Sequence, residues 1–130
     1  MSQIITKKYL DDLTYEVIGA AIEVHKLMGR VLLERVYHEC MKHELMLRGI
    51  NYITEFKIFT AYKDKELDLG FRGDLFIENC MILELKAAAE ISPINEAQLL
   101  TYMKLTKAPK GIIINFNCAN IFNDGQRTRK

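Results

Sequence analysis

The sequence predicts a single α/β (α+β) domain, a mixed central sheet flanked by helices in the order α-α-β-β-β-α-β. Three observations predict it. The first third carries apolar residues at helical spacing; the middle turns to β-branched and aromatic residues between turn signals; and after one more helical stretch comes the short apolar run Ile112-Ile113-Ile114. Helical and extended patterns in that order bury their apolar faces by packing helices on a sheet. A chain of 130 residues, 49% of them hydrophobic, suits one core, so residues 1–130 are taken as one unit.

Each element has its own signal. From Asp12 to Met28, Leu13, Val17, Ile18, Ala21, Ile22 and Val24 recur at three and four, with Asp11 or Asp12 as N-cap and Gly29 as the stop. A second helix begins near Val31, carries Leu33, Val36, Tyr37, Cys40, Met41, Leu45 and Leu47, and ends at Arg48-Gly49. Ile50 to Tyr62, Leu67 to Ile77 and Met81 to Lys86 read as three sequential antiparallel strands, turning at Lys63-Asp64-Lys65 and around Asn79. Ser92 caps the next helix, Pro93 takes its first position and Glu96 its first turn, and it runs to about Thr106. Gly111 to Phe116 has the unbroken apolarity of a strand buried on both faces. Beyond Asn117 the reading allows at most a short strand around Ile121-Phe122, with residues 123–130 as a frayed tail.

Composition narrows the function classes. The 18 basic and 17 acidic residues leave a formal charge of +1, so attraction to nucleic acid must come from a local patch. Cys40, Cys80 and Cys118 form no C-x-x-C pair, which argues against a disulfide scaffold or zinc knuckle and for packing roles in a reducing, cytoplasmic setting. No apolar run approaches the roughly 20 residues of a membrane span, so no membrane partner is expected.

The chemistry concentrates in Asp74 to Lys86. On a strand, residues two apart share a face, so Glu84 and Lys86 project together while Met81, Leu83 and Leu85 point into a core. If the chain turns through Glu78-Asn79-Cys80, Asp74 falls directly across from Glu84. Two carboxylates and an ammonium on one patch can hold a hard divalent cation beside a phosphodiester. The blander account of Glu84 and Lys86 is a solvated sheet face with weakly paired charges. Asp74 shifts the balance, because aspartate is disfavoured inside strands. Gln98 and Tyr102, four apart, share a helix face, and Arg72 would project on the face of Asp74. His25, His38 and His43 are read as structural or surface residues; His38 and His43, five apart, lie on different sides of a helix.

Several separated blocks recur in an order that resembles the PD-(D/E)XK nuclease superfamily and, more narrowly, its GxxExxY proteins. They run from Ile18-Gly19-Ala20-Ala21-Ile22-Glu23-Val24-His25 through Leu32-Leu33-Glu34-Arg35-Val36-Tyr37, Arg72-Gly73-Asp74-Leu75 and Glu84-Leu85-Lys86-Ala87 to Glu96-Ala97-Gln98-Leu99-Leu100-x-Tyr102. One departure stands out: relatives carry Gly-Pro-Gly before Leu-Leu-Glu, whereas this chain has Gly29-Arg30-Val31. The resemblance implies a restriction-endonuclease-like core and Mg²⁺ or Mn²⁺ held by Asp74, Glu84 and the Leu85 backbone, with Glu34 assisting. It implies Lys86 as the residue that orients or deprotonates the attacking water. Gln98 and Tyr102 would hold water and a phosphate, and Arg72 would contact the nucleic-acid backbone.

The function expected on these grounds is Mg²⁺-dependent hydrolysis of a nucleic-acid phosphodiester, on DNA ahead of RNA. The alternative is a non-catalytic nuclease-fold module that binds nucleic acid or a protein partner. A homodimer through the long helices is a further expectation, since cutting both strands of a duplex takes two sites.

Overall fold

The computed structural model describes residues 4–130. Its elements are α1 (Lys7–Met28), α2 (Glu34–Leu47), β1 (Tyr52–Tyr62), β2 (Lys65–Ile77), β3 (Met81–Lys86), α3 (Pro93–Thr106), β4 (Lys110–Asn115) and β5 (Gln126–Arg129), with a π-helical turn at Ile121–Gly125. The five strands form one sheet in the order β1-β2-β3-β4-β5. β3 and β4 run parallel and the other neighbours antiparallel, so the sheet is mixed as the sequence predicts. No helix among the described residues is long and apolar enough to cross a membrane.

Alternation along β3 and β4 divides the core into two layers. Met81, Leu83, Leu85, Ile112 and Ile114 pack on one face beneath α1 and α2, beside Val17, Ala21, Tyr37, Met41 and Leu45. Ile82 and Ile113 face the other way, onto Leu99, Tyr102 and Met103 of α3. Both strands are thereby sealed on both sides, which is what the apolar run at Ile112-Ile113-Ile114 signalled. Ser92 caps α3 reciprocally: its hydroxyl accepts from the N–H of Asn95, and the Asn95 side chain accepts from the N–H of Ser92.

Three boundaries differ from expectation. α1 begins at Lys7 instead of Asp12, because Thr6 caps it by accepting from the N–H of Tyr9 at 3.0 Å, and Asp11 and Asp12 instead pair with Lys7 and Lys8 one turn back. α2 begins at Glu34 because Val31 stands at φ 72, in the left-handed region that breaks a helix. The C-terminal residues are not frayed. A π-helical turn capped by Asn120 replaces the expected strand at Ile121-Phe122, and β5 closes the open edge of β4, pairing Gly111 with Arg129 and Ile114 with Gln126. Arg129 also forms an ion pair with Glu96 of α3. A sheet edge whose backbone groups need partners recruits a polar tail that composition marks as loop.

The feature that shapes the site is a fault in the β1–β2 ladder. The ladder pairs Thr54 with Leu75 and then Phe56 with Gly73, leaving no rung between Glu55 and Asp74, and Glu55 takes φ 47. The alternation changes sides there. Leu75 lies under α1 and α2, whereas Phe56 and Phe71 pack with the α3 cluster. Gly73 makes this possible: a Cβ on it would sit 2.1 Å from Phe56 Cζ, whose ring crosses β2 to stack on Phe76 with centroids 5.2 Å apart. At the same level β2 parts from β3, whose pairing with it is confined to Leu75–Ile77 against Met81–Leu83.

Candidate active site

Asp74 and Glu84 occupy the fork where β2 and β3 separate. The three-residue turn Glu78-Asn79-Cys80 sets the register Leu75 with Leu83 and Ile77 with Met81, which puts Asp74 opposite Glu84 as predicted. Beyond Leu75 and Leu83 the ladder ends and the two side chains take over its role. The N–H of Asp74 donates to Glu84 Oε2 at 2.8 Å, and Asp74 Oδ2 accepts from the N–H of Leu85 at 2.8 Å. Each carboxylate satisfies a backbone donor of the opposing strand that the fork would leave unpaired.

The electrostatics of this clasp are strained. Glu84 is only 4% exposed. Burial, and then the Asp74 carboxylate beside it, push its acidity from the usual carboxylate range up to about 8, while the Asp74 N–H and the Lys86 ammonium pull the other way. Glu84 therefore favours the protonated form near neutrality.

On the solvent side, Asp74 lines an open cleft of ≈ 610 Å³ with Glu34, Arg35 and His38 of α2. Glu34 is exposed in the first turn of the helix and borders this cleft together with Asp74; Glu84 does not. Tyr37 fixes the approach. Its ring is buried and stacked on Phe116 at 4.4 Å, and its hydroxyl donates to the Gly29 carbonyl at 2.8 Å while accepting from the N–H of Leu32 at 3.2 Å. The loop that leads into Glu34 is thus tied down by the tyrosine three residues after it.

Two participants escaped the sequence reading. His38, taken there as a bystander, has Nε2 3.7 Å from Asp74 Oδ2. The signal was its four-residue spacing from Glu34, which puts both on one face of α2. Asn115, buried at the end of β4, accepts from the N–H of Ala88 at 3.0 Å and donates to its carbonyl at 2.9 Å, so it clasps the segment that follows Lys86. His25, by contrast, is structural as predicted, its Nε2 2.9 Å from the Cys118 carbonyl oxygen.

The remaining predicted residues divide. Lys86 is half-buried two residues from Glu84 on the same strand face, close enough for its charge to act on that carboxyl. Gln98 and Tyr102 do meet, the Gln98 amide donating to the Tyr102 hydroxyl at 2.7 Å, and the Tyr102 ring tilts against Phe71. Among the described residues, no hydrogen bond ties this pair to Asp74, Glu84 or Lys86. Arg72 is exposed and pairs across the ladder with Lys57, and with Phe56 and Phe71 turned to the α3 cluster it projects to the side of the sheet on which Asp74 borders the cleft.

The donor set fits a hard divalent cation. Among the described residues no cluster of three or more His, Cys, Asp or Glu side chains is arranged around one point, but Mg²⁺ is commonly held by one or two carboxylates with water and phosphate oxygens. Two carboxylates crowded into a buried fork, one of them holding a proton for want of a compensating charge, supply that pair.

No curated protein matches the chain, and no solved structure does. The family profile of the PD-(D/E)XK nuclease superfamily matches residues 11–128, from the second turn of α1 to the strand that closes the sheet. With that match spanning nearly every element, and with an aspartate and a Glu-x-Lys strand meeting at the fork, the chain belongs to the PD-(D/E)XK nuclease superfamily.

Proposed function

We propose that this protein is a Mg²⁺-dependent phosphodiesterase that cleaves DNA. The observation that carries the reading is the reciprocal clasp of Asp74 and Glu84 at the fork, beside Lys86. Asp74, Glu84 and the Leu85 carbonyl would hold the ion, with Glu34 bordering the same cleft as Asp74. When bound, Mg²⁺ supplies positive charge at the scissile phosphate and lowers the cost of forming a nucleophile from water. Lys86 orients that water and steadies the charge growing on the phosphate. The Gln98 and Tyr102 pair presents a hydroxyl and an amide to ordered water or a phosphate oxygen. Arg72, exposed on the strand that carries Asp74, contacts the backbone of the nucleic acid.

The test is Mg²⁺-dependent nicking of a DNA substrate by the parent protein and by Asp74→Asn and Lys86→Ala. Loss of cleavage in both, with circular dichroism and melting unchanged in kind, supports the assignment. Cleavage at the parental rate in either overturns it.

A second reading, a non-catalytic nuclease-fold module, draws on the buried and protonated state of Glu84, which would suit a polar network without an ion. Calorimetric Mn²⁺ titration separates the two. Saturable binding lost in Asp74→Asn belongs to the enzyme, and nucleic-acid binding indifferent to chelator belongs to the module.

A further inference from the structure

Beyond the fork, β1 and β2 continue without β3 as a two-stranded ribbon that ends in the Lys63-Asp64 turn. On it Lys57 and Arg72 are direct cross-strand partners, and both are exposed. Like charges placed opposite each other on a ladder destabilise it, and among the described residues neither side chain is engaged by an ion pair. Their direction follows from the ladder fault. Phe56 and Phe71 on either side of them turn to the α3 cluster, so Lys57 and Arg72 project to the opposite side, where α2 and the cleft lined by Thr54, Leu75 and Asp74 are found.

We infer that Lys57 and Arg72 form a phosphate clamp that grips the nucleic-acid backbone beside the cleft, holding the strand in line with Asp74. The inference rests on the nucleic-acid reading above and adds to it a second cation and a path along the ribbon. A chain with a net charge of +1 has no global field to draw in a polyanion, so a local pair whose repulsion is relieved only by an anion between them is where the grip belongs. Contacts of this kind fix position without reading sequence.

The experiment is fluorescence anisotropy with labelled DNA duplexes of two unrelated sequences, in EDTA so that no cleavage intervenes. K57Q/R72Q is expected to weaken binding about tenfold on both sequences, and to reduce the slope of log affinity against log salt by about 2, two phosphate contacts being lost. K7Q/K8Q, which removes the same charge from α1, should change affinity less than twofold. The single variant K57E places opposite charges across the ladder and should raise the melting temperature while weakening DNA binding. A merely solvated pair would give the rise in stability without the loss of binding. Parental affinity in K57Q/R72Q, an equal loss in K7Q/K8Q, or no duplex binding by the parent overturns the clamp. Mn²⁺ titration of K57Q/R72Q keeps the two claims apart, since intact Asp74-dependent metal binding with parental DNA affinity fails the clamp alone.

Discussion

Asp74 and Glu84 hold each other's strands: the N–H of Asp74 donates to the Glu84 carboxylate, and the Asp74 carboxylate accepts from Leu85, next to Glu84, both at 2.8 Å. Two acidic side chains therefore do what a ladder rung would otherwise do, at the point where the strands diverge. The arrangement is good hydrogen bonding and poor electrostatics. A divalent ion or a proton relieves the conflict, and the conflict itself is measurable.

Stability without metal should fall with rising pH in a window set by Glu84. Its folded-state acidity is raised from 4.5 to about 8, so the native state binds the proton more tightly than the unfolded chain. The stabilisation is complete below about pH 4.5 and is lost as pH rises through about 8. Glu84→Gln keeps an oxygen for the Asp74 N–H but no charge. The variant should be more stable than the parent at pH 8, by an amount on the order of a few kcal/mol, and nearly equal to it at pH 4.5. Urea titrations in chelator across this range, parent minus variant, isolate the effect from other titrating groups. Adding Mg²⁺ at pH 8 should recover much of the parent's loss and leave Glu84→Gln unmoved.

Val31→Gly should stabilise the protein. The resemblance places glycine at this position, and the backbone keeps glycine's conformation, φ 72, with a β-branched residue in it. Left-handed strain at a non-glycine residue costs about 1–3 kcal/mol, and the freedom glycine brings to the unfolded chain offsets part of that. A net gain of about 1 kcal/mol in urea unfolding is expected, with no loss of core contacts because Val31 is exposed. A loss of stability would show that the left-handed turn is held without strain.

Much of this architecture is legible in the residues, and the exceptions share a cause. Register at the fork follows from the turn at Glu78-Asn79-Cys80 and from alternation in Met81 to Lys86, both local properties. The helix at Pro93 follows from its capping chemistry, also local. What escaped depends on partners distant in sequence. β5 exists because β4 has an open edge, and His38 matters because Asp74, from a strand distant in sequence, comes within 3.7 Å of it. No window of residues around Arg127 contains that information, and the spacing of His38 from Glu34 gives its face of α2 but not its partner. Glu34 lies between the two cases: its helix is local, but its distance from Asp74 is set by the loop that Tyr37 holds.

Tyr37→Phe tests that hold directly. The hydroxyl is the partner of both the Leu32 N–H and the Gly29 carbonyl, and the ring is fully buried against Phe116, so removing one oxygen leaves packing intact and strands a donor and an acceptor in the loop before Glu34. Leaving such groups unsatisfied costs about 1–3 kcal/mol when they stay buried, and less if the loop opens to water. The two outcomes differ in what they do to the cleft. A loop that stays closed loses stability and keeps Mn²⁺ affinity. A loop that opens loses less stability, but Glu34 and His38 then drift from Asp74 and Mn²⁺ binding weakens. Because the hydroxyl bonds of Tyr37 span the segment between the end of α1 and the start of α2, with Val31 already strained within it, opening is the expected course: a stability loss of about 1 kcal/mol together with a severalfold fall in Mn²⁺ affinity by calorimetry. Unchanged Mn²⁺ affinity with a larger stability loss would mean that the loop stays closed without the hydroxyl, and that Tyr37 is not what holds Glu34 beside Asp74.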